Sequence, residues 1–306
     1  MLKYTIKRVL MLIPTIIGIT LFIYLIMSFV PGDPAELLSP PEATAEEVEV
    51  LRAELGLDKP VLVQYVNYMW DILHGDFGVS WFTKQPVIDE IVNRMPYTLS
   101  LGVLSTLIAS IISTPLGTLT AVKHNTPADY IVTFLCLLFA AMPGFWLAII
   151  LQIYLSLQTG WFPAYGMGTM RHFVLPVIAV CAASVATNIR STRTWVLDVI
   201  RSDYVRTARA KGASEVVVIM KHALRNALLP IVTGFGSAFA GVLGGSVVIE
   251  TVFAIPGIST YLTSAVKTRD MPIIMGCILV ISVFVGVVNL LVDLMYSVID
   301  PRVKYE

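Results

Sequence analysis

Six long apolar runs, separated by short segments that hold most of the charge, restrict the folds open to this chain more than any other feature. They lie at about 9–30, 98–122, 130–156, 174–192, 229–250 and 273–297. At about 1.5 Å of rise per residue, a helix over the first run measures roughly 33 Å, enough to cross a hydrocarbon core of about 30 Å. Inside lipid the backbone must satisfy its own hydrogen bonds, so isolated runs of this length become helices. Only 14% of the residues are charged, against roughly 25% in soluble domains. The sequence predicts an all-α integral membrane protein with six transmembrane helices, an extracytoplasmic helical segment after the first and a basic cytoplasmic loop between the fourth and fifth.

The first run is too long for a cleaved leader. Pro31-Gly32-Asp33-Pro34 follows it, where a leader would show small residues. It reads as a retained helix with residues 1–8 before it. Cys136, Cys181 and Cys277 lie far apart within apolar runs, which argues against a disulfide framework.

Lysine and arginine set the orientation, because cytoplasmic segments carry the excess. With the N-terminus inside, cytoplasmic segments hold 14 of these cations and outer segments hold seven. Residues 31–97 carry 12 acids against four bases and belong outside, leaving both chain ends in the cytoplasm. This outer segment has its own structure. Thr44-Ala45-Glu46-Glu47 is a capping box that opens a helix, Val48, Leu51 and Leu55 give it an apolar stripe, and Gly56 and Pro60 end it. Residues 61–73 predict a second amphipathic helix on the membrane surface, with Tyr65, Tyr68 and Trp70 at the headgroups. Residues 75–78 form a turn. The segment reads either as a docking surface for an external delivery protein or as a lid over the bundle.

Residues 201–230, RSDYVRTARAKGASEVVVIMKHALRNALLP, bring the count to eight cations when Arg190 and Arg193 are included. In lipid each central Lys or Arg would cost about 2.5–3.5 kcal/mol. The block therefore stands in cytoplasmic water, long enough to offer a helical surface to a partner.

Small residues repeat in the fifth run. Gly236, Ala240 and Gly244 form one row, and Ser237, Gly241 and Gly245 the next. Such rows permit close helix packing, or they make a smooth wall along a translocation path. Glu250 follows them, facing water, meeting a cationic group of a substrate or capping a gate. Pro14, Pro115, Pro143 and Pro176 are expected to kink their helices without breaking them. Asp293 reads as interfacial, near the inner end of the sixth helix.

The chain has no GxxxxGK[ST] phosphate loop, no HExxH, no GxSxG and no CxxC. His74, His124, His172 and His222 are scattered over inner and outer segments and do not converge as a set. No catalytic site, resident cofactor, metal site or nucleic-acid partner is expected. An ion-driven carrier would show repeats and buried ionisable groups at mid-membrane. Here a basic cytoplasmic block suits contact with a separate ATPase.

The wording DYVRTARAKGASEVVVIMKHALRNALLP resembles the coupling-loop signature of bacterial ABC importer permeases, the EAA-loop proteins. Ala208 and Gly212 keep their places and Leu229-Pro230 closes the motif, whereas Arg206 and Thr207 stand where the generic form has Glu and Ala. The interval from Gly212 to Pro230 is also longer than the generic one, as in the peptide and nickel branch. PGDP at 31–34, LGLDKP at 55–60, GDFGVS at 75–80, ETVFAIPGI at 250–258, RDMP at 269–272 and NLLVDLMYSVIDPR at 289–302 are similar to that branch in the same order.

The resemblance implies the first of two permeases in a dipeptide, oligopeptide, glutathione or nickel importer, with a core over 98–306 and a coupling loop over 193–228. It implies a second similar permease, two cytoplasmic subunits that use ATP and Mg, and an extracytoplasmic binding protein. The coupling helix would be a short one after Gly212, from about Ala213 to Met220 and including Ser214 and Glu215. Arg206, Arg209 and Lys211 would meet acids of the ATPase or lipid phosphates. A metal path would favour imidazole or sulfur groups, and the fifth run has none, which favours peptide cargo over nickel. A rival of another class is a membrane anchor or sensor that uses the basic loop for docking.

Overall fold

The computed structural model describes residues 2–299. Among them the secondary structure is helical apart from one isolated bridge between Val79 and Pro86. In chain order the helices are α1 (Leu2–Phe29), α2 (Pro34–Leu38), α3 (Ala45–Glu54), α4 (Val61–Leu73), α5 (Val87–Val122), α6 (Pro127–Ala141) and α7 (Gly144–Leu151). They continue with α8 (Met170–Ile200), α9 (Asp203–Ala210), α10 (Glu215–Val217), α11 (Arg225–Gly245), α12 (Val247–Val252), α13 (Ile258–Thr268) and α14 (Met271–Ile299). Gln152–Gln158 extends α7 as π-helix, and Val218–Leu224 joins α10 to α11 in the same way. Arg302 and Lys304 and the closing DPR of NLLVDLMYSVIDPR lie outside the described residues.

Among the described residues, five stretches are long and apolar enough to cross a membrane: Thr5–Phe29, Val87–Val122, Met170–Ile200, Glu215–Gly245 and Met271–Met295. They turn large apolar side chains outward, Phe22 at 64% exposure and Ile111 at 63% among them. The run over 130–156 departs from expectation. It is two helices, α6 and α7 with its π-helical extension, bent by 94° and making a sixth span only if counted together. Pro143 is the cause. It has no N–H, and it holds Met142 in extended backbone at φ −79°, ψ 124°, so the helix ends rather than kinks. Pro14, Pro115 and Pro176 sit inside unbroken helices, as expected.

Other boundaries move because charge hides helix from a hydropathy reading. Helix α5 begins at Val87 rather than at 98, since Asp89, Glu90 and Arg94 lie on its early turns. Helix α8 runs to Ile200, so Arg190 and Arg193 are helical. The fifth span starts at Glu215 and stops at Gly245, before the 250 expected. Within the basic segment of 193–228, only residues 201–214 separate α8 from the helix that opens at Glu215, and they hold α9.

The chain divides into two compact units, to which α5 and α14 both contribute. The unit made of Ile6–Tyr97 and Pro256–Gly286 packs Val87 and Ile91 against Ile258, Tyr261, Ala265, Ile274 and Cys277. The Thr44 capping box forms as expected, and Val48, Leu51 and Leu55 are half-buried. Tyr65 is not at a headgroup position. It is buried with Tyr24 and Met275, shares a 2.9 Å hydrogen bond with Thr20 Oγ1 and donates to the Ile17 carbonyl at 3.1 Å. A tyrosine beside α1 gains more from burying its ring with its hydroxyl bonded than from lying in a wet interface. Trp70, by contrast, is 63% exposed.

Motifs far apart in sequence meet in this unit. Arg269 donates to the carbonyls of Pro31 and Gly32, and a side chain at Gly32 would collide with that guanidinium. Asp270, 1% exposed, accepts from Ser80 Oγ at 2.6 Å. Arg52 pairs with Asp33. Partial burial pushes the Asp33 carboxyl up, but the Arg52 hydrogen bond, the Ala35 N–H and the Arg52 charge together hold it below the usual carboxylate range. PGDP, GDFGVS and RDMP therefore act as one structural corner, and PGDP and RDMP wall a groove of about 600 Å³ with Arg52, Asp58 and Gln64.

The unit made of Thr98–Ile255 with residues 2–5 and 287–299 is built around α8. Val196 packs with Ala121, Ala227 and Ile231, while Ala186 and Ile189 pack with Cys136. Cys136, Cys181 and Cys277 are buried free thiols. At Gly117 an added Cβ would lie 2.6 Å from Thr192 Cβ and 2.8 Å from the Ile189 carbonyl, so α5 and α8 touch backbone to backbone there.

Candidate functional site

The corner between α9 and α10 is built from its ends. Ser202 precedes α9, Asp203 stands in its first turn where a negative charge is favoured, and Val205 is buried with Ala208 half-buried behind it. Arg206, Arg209 and Lys211 face outward. The helix closes in a Schellman motif, with Ala213 N–H bonding the Ala208 carbonyl at 3.3 Å and Gly212 N–H bonding the Arg209 carbonyl at 2.9 Å. This ending needs a left-handed residue, and Gly212 supplies φ +83°. A Cβ at Gly212 would meet nothing within 4 Å, so the requirement is conformational and not steric.

The free-standing short helix therefore lies before Gly212, as α9, and not over Ala213–Met220. After the turn the chain re-enters helix at Glu215, and no breaker interrupts it, so Glu215 to Met220 is the first part of a long span. Arg209 Nε donates to Glu215 Oε1 at 2.7 Å and bridges the two sides of the corner. Arg206 lies 3.6 Å from Asp203. Tyr204, Val216 and Met220 are exposed apolar groups on the same stretch, at 45%, 71% and 58%. Ser214 is exposed and Ala213 half-buried. Leu229 and Pro230 are inside α11, roughly 22 Å along the helix from Glu215, and do not join the corner.

The small-residue rows separate by environment. The position that a side chain at Gly236 would take is filled by Val292, so that glycine serves packing against α14. Ala240 is half-buried. Gly241, Gly244 and Gly245 are exposed, with nothing within 4 Å of an added Cβ. Gly241 and Gly245 line a groove of about 390 Å³ with Gly144, Ala183, Ser184 and Ser246. Glu250 does not face water: it is 0% exposed on α12, and its Oε1 accepts from Thr98 Oγ1 and Ser246 Oγ, both at 2.8 Å. Ser246 interrupts the helix, and its hydroxyl and that of Thr98 give the carboxylate two polar partners away from solvent.

One cluster escaped the sequence reading. Asp129, 3% exposed at the side chain, accepts from Arg193 Nε and from Arg193 Nη2, each at 2.8 Å. The Asn125 N–H bonds the same carboxylate at 3.1 Å, and His124 Nδ1 lies 2.8 Å from Arg193 Nη2. The available signal was Thr126-Pro127-Ala128-Asp129, a helix start with proline at N1 and an acid in the first turn.

Two protein families match the chain. "Binding-prot-dependent transport system membrane comp, N-term" covers residues 1–102, and "Binding-protein-dependent transport system inner membrane component" covers residues 113–305. The glutathione transport system permease protein GsiC of Escherichia coli (strain K12) is 40% identical over 306 residues, covering 100% of both chains. The oligopeptide transport system permease protein AppB of Bacillus subtilis (strain 168) is 40% identical over 316 residues, again covering 100% of both. Among solved structures, an inward-facing MetNI methionine ABC transporter chain aligns with TM-score 0.59 at 16% identity, over 70% of this chain and 98% of that one, and supports the fold. The chain belongs to the binding-protein-dependent inner-membrane transport components, and it is a multi-pass permease subunit of an ABC importer, without a catalytic domain of its own.

Proposed function

We propose that this subunit forms half of an import path for glutathione or short peptides and receives its driving motion at the α9–Gly212–α10 corner. The observation that carries the coupling role is that corner: a turn shaped by the Schellman ending at Gly212 and bridged by Arg209 and Glu215 offers three exposed cationic residues beside exposed Tyr204, Val216 and Met220. A cytoplasmic ATPase with an apolar groove rimmed by acids is the complementary partner. Two such subunits hydrolyse MgATP, a second permease completes the bundle, and an extracytoplasmic binding protein delivers cargo. Ala240, Gly241, Gly244 and Gly245 line this chain's share of the path, and Glu250 braces its end. Both chain ends lie in the cytoplasm, and residues 31–97 form the outer face that receives the binding protein. Full-length identity of 40% to the GsiC and AppB permeases supports glutathione and oligopeptides as cargo.

Two measurements test this. In intact cells, a cysteine at Ser214 should resist an impermeant thiol reagent and react in inverted vesicles; labelling in intact cells would end the coupling proposal. Deletion of the gene should abolish uptake of radiolabelled glutathione or dipeptide. Loss of nickel uptake alone would reassign the cargo.

A further inference from the structure

We infer that Asp129 and Arg193 are positioning residues that make α6 and α8 a single lever, carrying motion from the α9–Gly212–α10 corner to the wall of the Gly241 groove. The inference rests on the corner being the coupling element.

The geometry is a linked series of rigid pieces. Helix α8 is unbroken from Met170 to Ile200, and only Arg201 and Ser202 separate it from α9. Whatever displaces α9 displaces the end of α8. Arg193 lies two turns before that end and grips Asp129 through two parallel hydrogen bonds of 2.8 Å. A guanidinium and a carboxylate joined this way fix orientation as well as distance, which a single contact does not. Asp129 stands in the first turn of α6, and its carboxylate also takes the Asn125 N–H, so it cannot swing to follow a moving partner. Helix α6 must then move with α8. At its far end α6 meets the 94° corner at Met142-Pro143, and α7 begins with Gly144, which lines the groove beside Gly241 and Gly245. The packing of Cys136 against Ala186 and Ile189 keeps the two helices together between these points.

A structural brace alone would be worth little here. A buried ion pair often adds no net stability over an apolar replacement, because both charges lose their hydration. Its specific contribution is a fixed geometry. His124 Nδ1, 2.8 Å from Arg193 Nη2 and 3.3 Å from Asp129 Oδ2, helps hold that geometry.

The test uses the complete importer in proteoliposomes, with radiolabelled glutathione as the transported probe. The readout is the number of molecules taken up per ATP hydrolysed by assembled complex. Asp129→Asn and Arg193→Gln should each lower that ratio by about fivefold or more, the lower edge of ordinary inter-site coupling. The double variant should be no worse than either single one, since the pair acts as a unit. Arg193→Lys keeps the charge but loses the paired bonds; it should assemble and still show a reduced ratio, which covers the case where the neutral variants do not fold. An unchanged ratio in assembled Arg193→Lys complex would overturn the inference, even if the complex were less heat-stable. If Gly212→Val leaves both ATP turnover and uptake unchanged while the clamp variants lower the ratio, the corner reading fails and only the α6–α8 clamp stands; if Gly212→Val lowers both while the clamp variants leave the ratio unchanged, the clamp fails and the corner reading stands.

Discussion

Gly117→Val should destabilise the subunit by about 1–3 kcal/mol or more, whereas Gly241→Ala should stabilise it slightly and still impair uptake. The two glycines look alike in sequence and differ in surroundings. At Gly117 an added Cβ would fall 2.6 Å from Thr192 Cβ and 2.8 Å from the Ile189 carbonyl. Neither atom sits on a flexible tip, so α5 and α8 must separate. The usual gain of about 1 kcal/mol for replacing a helical glycine with alanine does not offset that displacement. At Gly241 nothing lies within 4 Å, and the same substitution keeps the whole propensity gain. Thermal unfolding in detergent, read beside glutathione uptake in proteoliposomes, separates the cases. Equal melting temperatures for wild type and Gly117→Val would show that the α5–α8 contact is not close. Undiminished uptake by Gly241→Ala would remove the Gly241 face from the proposed path.

That contrast also marks what the sequence could convey. Hydropathy located α1, α8, α11 and α14 because a membrane span is a local property: enough consecutive apolar residues suffice. Capping chemistry is local too, and the Thr44 box and the Gly56 stop were legible for that reason. The 94° corner at Pro143 was not, because proline in a membrane helix kinks or breaks according to what neighbours supply its freed carbonyls. The first turns of α5 were hidden by Asp89, Glu90 and Arg94, whose cost is met by packing: Arg94 bonds Glu90 at 2.6 Å and lies 4.3 Å from the Tyr261 ring centre. At the site, the motif gave Gly212 its place but not which side of it held the free helix. Glu250 and the Asp129–Arg193 pair depend on partners 152 and 64 residues away in sequence, a distance no local pattern spans. The rows of small residues were visible, but their division into packing at Gly236 and open surface at Gly241 required the position of Val292.

Gly212→Val should cut glutathione-stimulated ATP turnover and uptake in the reconstituted importer by about tenfold, while leaving the isolated subunit folded. Val at φ +83° must enter the left-handed region, which costs about 1–2 kcal/mol for an L-residue and more for a β-branched one. That penalty corresponds to a factor of roughly 5–30 in the population of the native corner, at 1.4 kcal/mol per decade. The competing conformers unwind the Schellman ending and pull Arg209 away from Glu215, so α9 no longer presents its cations at a fixed angle to α10. Helices α8 and α11 are held by their own packing through Val196, Ala227 and Ile231, so the loss is one of coupling and not of fold. Gly212→Asn separates conformation from space. Asn visits the left-handed region more readily than other side-chain residues, and no neighbour obstructs it. It should therefore recover most of the activity that valine loses. If valine and asparagine were equally inactive, the surface at Gly212 would have to be in direct contact with the ATPase, and the corner's shape would not be its contribution. If both were fully active, α9 would transmit no force.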